Sequence, residues 1–171
     1  MSATHLIGRF FGSLWPFGPK QVDDDWAVDH LLDTEVELWR RMPRADRRHA
    51  IGVARRTVML LDDDVERPVV AAALLHDVGK IDSGLGTYLR VMATLSAKLA
   101  GRETAELWVK STGLTRRIGL YLIHPKIGAD LLGMAGSDAF TIAWTREHHL
   151  DEESWTVPMH LGSALREADD D

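Results

Sequence analysis

Apolar residues along this chain recur at intervals of three and four, the spacing of one helix face, and hardly ever alternate at two. Residues 26–42 read as a helix stopped by Pro43. In 45–61, Ala50, Val53, Ala54, Thr57, Val58 and Leu61 form an apolar stripe at helical spacing. Residues 68–77 follow with Pro68 in the first turn. The apolar stretch 87–100, ended by Gly101, reads as another helix. A further one starts at Pro125, with Ile127, Leu131 and Met134 on one face. Ser137 and Asp138 signal a cap for the next, whose inner face holds Phe140, Ala143, Trp144 and His148. Pro158 opens the last, with Leu161, Leu165 and Asp169 spaced by four. Strand signals are weak throughout, so the expected fold is all-α, a compact bundle of six to eight helices.

At the start, Leu6, Ile7, Phe10, Phe11, Leu14 and Trp15 share a helical face before Pro16, and the turn-rich "PFGPK" at 16–20 follows. The expected organisation is an N-terminal amphipathic segment over 1–20 and one domain over 21–171. The N-terminal stripe would dock on the body of the protein, or alternatively on a protein partner or a membrane surface. It lacks the basic flank and cleavage site of a signal peptide. Nowhere do apolar residues run long enough for a membrane span.

Composition narrows the chemistry. At 45% hydrophobic and 27% charged the 171 residues have the balance of a globular chain with one core. There is no cysteine, which removes disulfides, thiolate metal sites and cysteine nucleophiles, and fits a reducing cytoplasm. The net charge of −6 and the lack of a basic face argue against a nucleic-acid polymer as partner. The arginines at 40, 41, 44, 47 and 48 read as a solvated helix face, and the acidic triplets 23–25 and 62–64 as loop or cap residues.

The segment "AALLHDVGKID", 72–82, ends an apolar run in His76 and Asp77, two polar groups that are costly to bury unless something satisfies them. They are not alone. His49 lies early in the second helix, His124 directly before a Pro-initiated helix, and His148 on an inner face with His149 about 100° around it. Asp169 continues the inner face of the last helix. If these ends converge, they form a cage of imidazoles and carboxylates that would hold divalent metal, with Asp77 placed to bridge two ions.

The ordered set of His49, "HDVGK" at 76–80, "HPKIGADLL" at 124–132, "HH" at 148–149 and Asp169 resembles the HD-domain superfamily of metal-dependent phosphohydrolases. More narrowly it is similar to the HD-GYP-like subgroup, which hydrolyses cyclic dinucleotides. The resemblance covers about residues 45–171. It implies His49, His76, Asp77 and Asp169 around one metal, and His124 and His148 around a second, with Asp77 shared. His149 matches a position that serves a third metal or the substrate in some relatives, and Lys80 matches a lysine facing the scissile phosphate. The Gly-Tyr-Pro segment of the subgroup is replaced by "HHLDEESWTVP", which retains only Pro158, and the acidic residue of trinuclear members is not clearly matched, Asp46 being the nearest. A binuclear site is therefore expected.

The cofactors so implied are two divalent transition-metal ions, of Fe, Mn, Ni, Co or Zn, which nitrogen and carboxylate ligands suit alike. Asp77 and Lys80 would be the catalytic pair, and Lys80, Lys126 and Arg146 would contact a phosphate-ester or nucleotide substrate. The expected activity is hydrolysis of a phosphodiester or nucleotide by metal-activated water. The alternatives are a non-catalytic signalling or binding module stabilised by metal, and an HD-type diiron oxygenase.

Overall fold

The computed structural model describes residues 19–62, 65–85 and 102–170. The N-terminal stripe and the helix expected over 87–100 lie outside them. Among the described residues there are nine α-helices and no strand, an all-α bundle. They are α1 (Gln21–Val28), α2 (Asp33–Arg41), α3 (Arg44–Leu60), α4 (Arg67–Leu75), α5 (Arg102–Val109), α6 (Gly113–Leu122), α7 (His124–Ala135), α8 (Ala139–Glu147) and α9 (Met159–Asp170). Two 3-10 turns, Val78–Ser83 and Glu152–Ser154, complete the set.

The order of burial explains the arrangement. Helix α4 reads RPVVAAALL, apolar on every side, and Val69 to Leu75 are all buried. A helix apolar all round belongs at the centre. Helices α3 and α8 pack on α4, and α9 packs on α3. Trp39, Leu74, Leu132, Trp144 and Leu165 close the core around it. Thr141 donates to the Pro68 carbonyl at 3.0 Å and so ties α8 to the start of α4.

Two local expectations need correcting. Residues 26–42 are not one helix: α1 ends at Val28 and α2 starts at Asp33. The break is stabilised because Glu35, at the third position of α2, accepts the Leu32 N–H at 2.8 Å. Glu35 is itself buried and paired with Arg67 at 3.1 Å, so α2 is fastened to α4. Met134, expected to share one apolar face with Ile127 and Leu131, is 78% exposed. Asp138 does stand at the N-cap of α8, but its carboxylate pairs with Arg67 rather than with the helix's own N–H groups. The α5–α6 hairpin, 102–122, was not anticipated.

One contact sets the position of everything that follows. After α4 the chain turns through Asp77 into the 3-10 turn, and Gly79 lies directly on the first turn of α7. A Cβ on Gly79 would sit 2.0 Å from the His124 carbonyl oxygen and 2.6 Å from the Gly128 nitrogen. Only glycine permits that approach. Gly128 answers it from the other side, where an added Cβ would meet Thr145 at 2.9 Å and the Gly79 nitrogen at 3.1 Å.

Candidate metal centre

The central helix delivers its polar end to the middle of the molecule. His76 stands at the C-cap of α4 and Asp77 directly after it; they are 2% and 4% exposed. Helix α3 brings His49 from one side and α9 brings Asp169. Helix α7 opens with His124, held close by the Gly79 contact. Helix α8 ends in His148, with His149 beyond it.

The rings form a chain. Centroid separations are 5.8 Å for His49–His76, 5.2 Å for His76–His148, 5.6 Å for His124–His148, 5.3 Å for His124–His149 and 4.0 Å for His148–His149. Two sets of donor atoms result, each with members within 4.8 Å of one another: His49, His76 and Asp77; and His124, His148 and His149.

Asp77 joins the two sets. Its Oδ2 is 3.5 Å from His76 Nε2, and its Oδ1 is 3.1 Å from His124 Nε2 and 3.9 Å from His148 Nε2. Asp169 Oδ1 lies 2.9 Å from His49 Nε2 and 3.7 Å from His76 Nε2. Donor atoms about 2.0–2.1 Å from one cation stand roughly 3.0–3.4 Å apart when adjacent. The observed separations are of that size or slightly wider.

The tautomers are also decided. His76 Nδ1 is 2.9 Å from the Ala73 carbonyl, His124 Nδ1 2.7 Å from the Tyr121 carbonyl and His148 Nδ1 2.9 Å from the Thr145 carbonyl. A carbonyl only accepts, so each Nδ1 carries the hydrogen. Each is the residue three positions earlier, a consequence of a histidine at a helix end or first turn. The three Nε2 atoms are buried and have no hydrogen-bond partner. His76 and His124 can share a proton with Asp77 across 3.5 and 3.1 Å, whereas the His148 nitrogen, 3.9 Å away, is left uncompensated unless a cation takes its lone pair. His30 shows the ordinary case: its Nδ1 meets the Trp26 carbonyl at 2.8 Å and its ring packs on Trp26.

The electrostatics follow from crowding charge in a dry place. Burial pulls the His76 imidazole down, but the carboxylates of Asp77 and Asp169 outweigh it and lift the value to about 9. Burial also pushes the Asp77 carboxyl up, yet Lys80 and His76 hold it well below the usual range. On the other side burial wins. It lowers His124, and it lowers His148 well below its ordinary value, helped by the neighbouring imidazoles. His149, at the exposed rim of its set, is lowered by desolvation and by His124.

Lys80 and the two proposed phosphate contacts behave differently from expectation. Lys80 Nζ donates a hydrogen bond to Asp77 Oδ2 and lies 5.8 Å from the Tyr121 ring centroid, so it neutralises the Asp77 carboxylate. Lys126 is exposed on α7. Arg146 is exposed on α8 and pairs with Asp130 of α7 at 3.1 Å. Among the described residues neither is seen to contact a cluster residue, and Arg146 has its charge engaged by Asp130.

A cavity of about 290 Å³ opens beside the cluster. His76, Asp169, His148 and His149 form its inner wall, and Val53, Trp144 and Leu165 its floor. None of Lys80, Lys126 and Arg146 reaches it; its one Lys or Arg is Arg166. Arg166 and Trp144 were overlooked as site residues. The signal was present for Arg166, which is three residues before Asp169 and so on the same face of α9.

Comparison with protein-family models, with curated proteins and with solved structures found no match. What the site can do must therefore be argued from its own geometry.

Proposed function

We propose that the protein is a phosphohydrolase of the HD type, using two divalent transition metals held by His49, His76 and Asp169 on one side and His124, His148 and His149 on the other, with Asp77 shared. One observation carries this reading. His76, His124 and His148 each have Nδ1 fixed by a backbone carbonyl and Nε2 buried and directed toward the single carboxylate of Asp77. The donor set fits the cofactor: neutral imidazole nitrogens and carboxylates, without thiolate.

Two such cations would lower the pKa of a shared water and offset charge on the phosphoryl oxygens. The chain's residues supply the rest. The carbonyls behind His76, His124 and His148 hold the rings in one orientation, so no reorganisation is needed when the ligand arrives. Asp77 sets the distance between the two positions. Lys80 keeps Asp77 ionised. In hydrolysis the water oxygen bonds to phosphorus, the ester P–O bond breaks, and the water's proton ends on the leaving alcohol.

The test is elemental analysis of the purified protein followed by a phosphate-release screen over monoesters, diesters and nucleotides. The expected result is close to two transition-metal ions per chain and turnover that is lost in His76→Ala and Asp77→Ala. Turnover surviving in both variants overturns the assignment of this site. Full metal content with no turnover replaces it with a metal-stabilised binding module, and dioxygen consumption by an iron-loaded form replaces it with an oxygenase.

A further inference from the structure

We propose that the cavity between α3, α8 and α9 receives the organic part of the substrate, and that this part is a compact, flat body without a second anionic group. The inference rests on the hydrolase reading above and adds the substrate class to it.

Position comes first. The inner wall takes His76 and Asp169 from one donor set and His148 and His149 from the other. A group lying in the cavity is thus next to both halves of the site at once, which is where an ester bridging them would have to place its remainder. Lys80 takes no part in the wall.

Size and shape come next. About 290 Å³ is near the bottom of the range of small-molecule sites, roughly 300–1,000 Å³. It accommodates one ring system with short substituents. Two bases and two sugars exceed it, which argues against the cyclic dinucleotides that the sequence resemblance implies. Most of the lining is polar, and Val53, Trp144 and Leu165, at 1%, 2% and 1% exposed, form a rigid base with little open surface. The Trp144 ring is braced edge-on by Trp155 at 5.3 Å. A fixed indole beside an aliphatic floor favours a flat partner.

Charge completes the selection. Asp151 and Asp170 stand exposed at the mouth, with Asp169 inside. The positive charge of Arg166 is already engaged: it donates to the Leu150 carbonyl, lies over the Trp155 ring at 4.2 Å and is 3.7 Å from Glu152. The mouth is net negative, so a second phosphate at the far end of the substrate is repelled.

The experiment uses the metal-loaded protein and three probes: phenyl phosphate, a cyclic dinucleotide and a nucleoside diphosphate. Binding of phenylphosphonate, which cannot be hydrolysed, is measured in parallel by calorimetry. The expected kcat/KM for phenyl phosphate exceeds that for the cyclic dinucleotide at least a hundredfold. Val53→Phe, which fills the floor, raises the phenylphosphonate Kd at least tenfold while metal content stays the same. Asp151→Lys, a surface change that keeps the test open if Val53→Phe fails to fold, lowers the KM for the nucleoside diphosphate at least threefold at low salt. Equal turnover of the cyclic dinucleotide, or a phenylphosphonate Kd unmoved by Val53→Phe, overturns the inference and leaves the hydrolase reading standing. Absence of turnover on every ester sinks the hydrolase reading, yet phenylphosphonate binding that Val53→Phe abolishes would still identify the cavity as the ligand site.

Discussion

The two halves of the candidate site are built from similar residues and solve the same problem in opposite ways. On the α3–α4–α9 side each imidazole has a carboxylate: His49 is 2.9 Å from Asp169, and His76 faces both Asp77 and Asp169. Without a cation this half can hold itself together as ion pairs. On the α7–α8 side three imidazoles meet one another, and Oδ1 of Asp77 is the carboxylate oxygen that His124 and His148 face. Adding protons there would place like charges in contact in a buried position. That half keeps its imidazoles neutral, and its Nε2 lone pairs wait for something other than a proton. One residue, Asp77, serves both halves, so it is where the comparison is most easily broken.

Asp77→Asn is expected to have the largest effect. It removes the shared carboxylate, leaves Lys80 without its partner and presents an amide to two sets of imidazoles. Removing one member of a buried ion pair costs about 3–5 kcal/mol. The metal content should fall to one ion per chain or fewer and phosphate release should be lost, both read on the same preparation. Retention of both ions by Asp77→Asn would show that the two halves do not share a ligand.

Chelation comes next, and it should act unequally. A ligand at a thousand times its Kd stabilises by about 4 kcal/mol per site, and in a chain of this size each kcal/mol is worth roughly 2–4 °C of melting temperature. Stripping the metals should therefore lower Tm by about 10 °C or more. Hydrogen exchange should rise most at the start of α7 and the end of α8, where no ion pairs take over, and at the end of α9, where Asp169 sits in a helix C-terminal turn that disfavours a carboxylate. Identical melting curves with and without chelator would remove the metal from the account of stability.

Much of this was legible in the chain. His76–Asp77 at the end of an unbroken apolar run had to be either satisfied or misassigned, and helical spacing put His148 and Asp169 on inner faces. The all-α fold followed from periodicity alone. What was not legible is instructive. Lys126 and Arg146 were proposed from nearness in sequence to cluster histidines, but both side chains are exposed and Arg146 spends its charge on Asp130. Lys80 was expected to wait for a phosphate; a buried ammonium beside a buried carboxylate pairs with it first. The break at 29–32 was hidden because Glu35 caps across it while Val36 and Trp39 continue the apolar pattern. The cavity depends on how α9 packs on α3, which no local pattern encodes.

Gly79→Ala tests the contact that joins the halves. A methyl group 2.0 Å from the His124 carbonyl has nowhere to go except by pushing α7 away from the 3-10 turn. Such overpacking costs about 1–3 kcal/mol, at the upper end here because the opposing atoms are backbone. The displacement should separate His124 from Asp77 and leave His49 and Asp169 together. Loss of one metal equivalent with the other retained is the expected result, measured by elemental analysis against the parent; a full complement would show that α7 is free to adjust.

The smallest effect is the most diagnostic of the asymmetry, because the two halves respond to pH with opposite sign. In the metal-stripped protein the folded-state value of His76 is about 9, above the ordinary 6.5. Its contribution is full below 6.5 and is lost as pH rises toward 9, where the folded state gives up a proton that the unfolded state has already released. His124 and His148 are shifted the other way. Below 6.5 the unfolded chain protonates them and the folded chain does not, so stability falls as pH falls. The chelated protein should therefore show a maximum of denaturant midpoint near pH 6.5, with an alkaline limb from the α4 side and an acid limb from the α7–α8 side. Metal loading makes every ligating imidazole neutral, so it should flatten the alkaline limb and steepen the acid one, where protons compete with the cation for nitrogen. An alkaline limb that persists unchanged in the loaded protein would mean that His76 keeps its proton and does not bind metal.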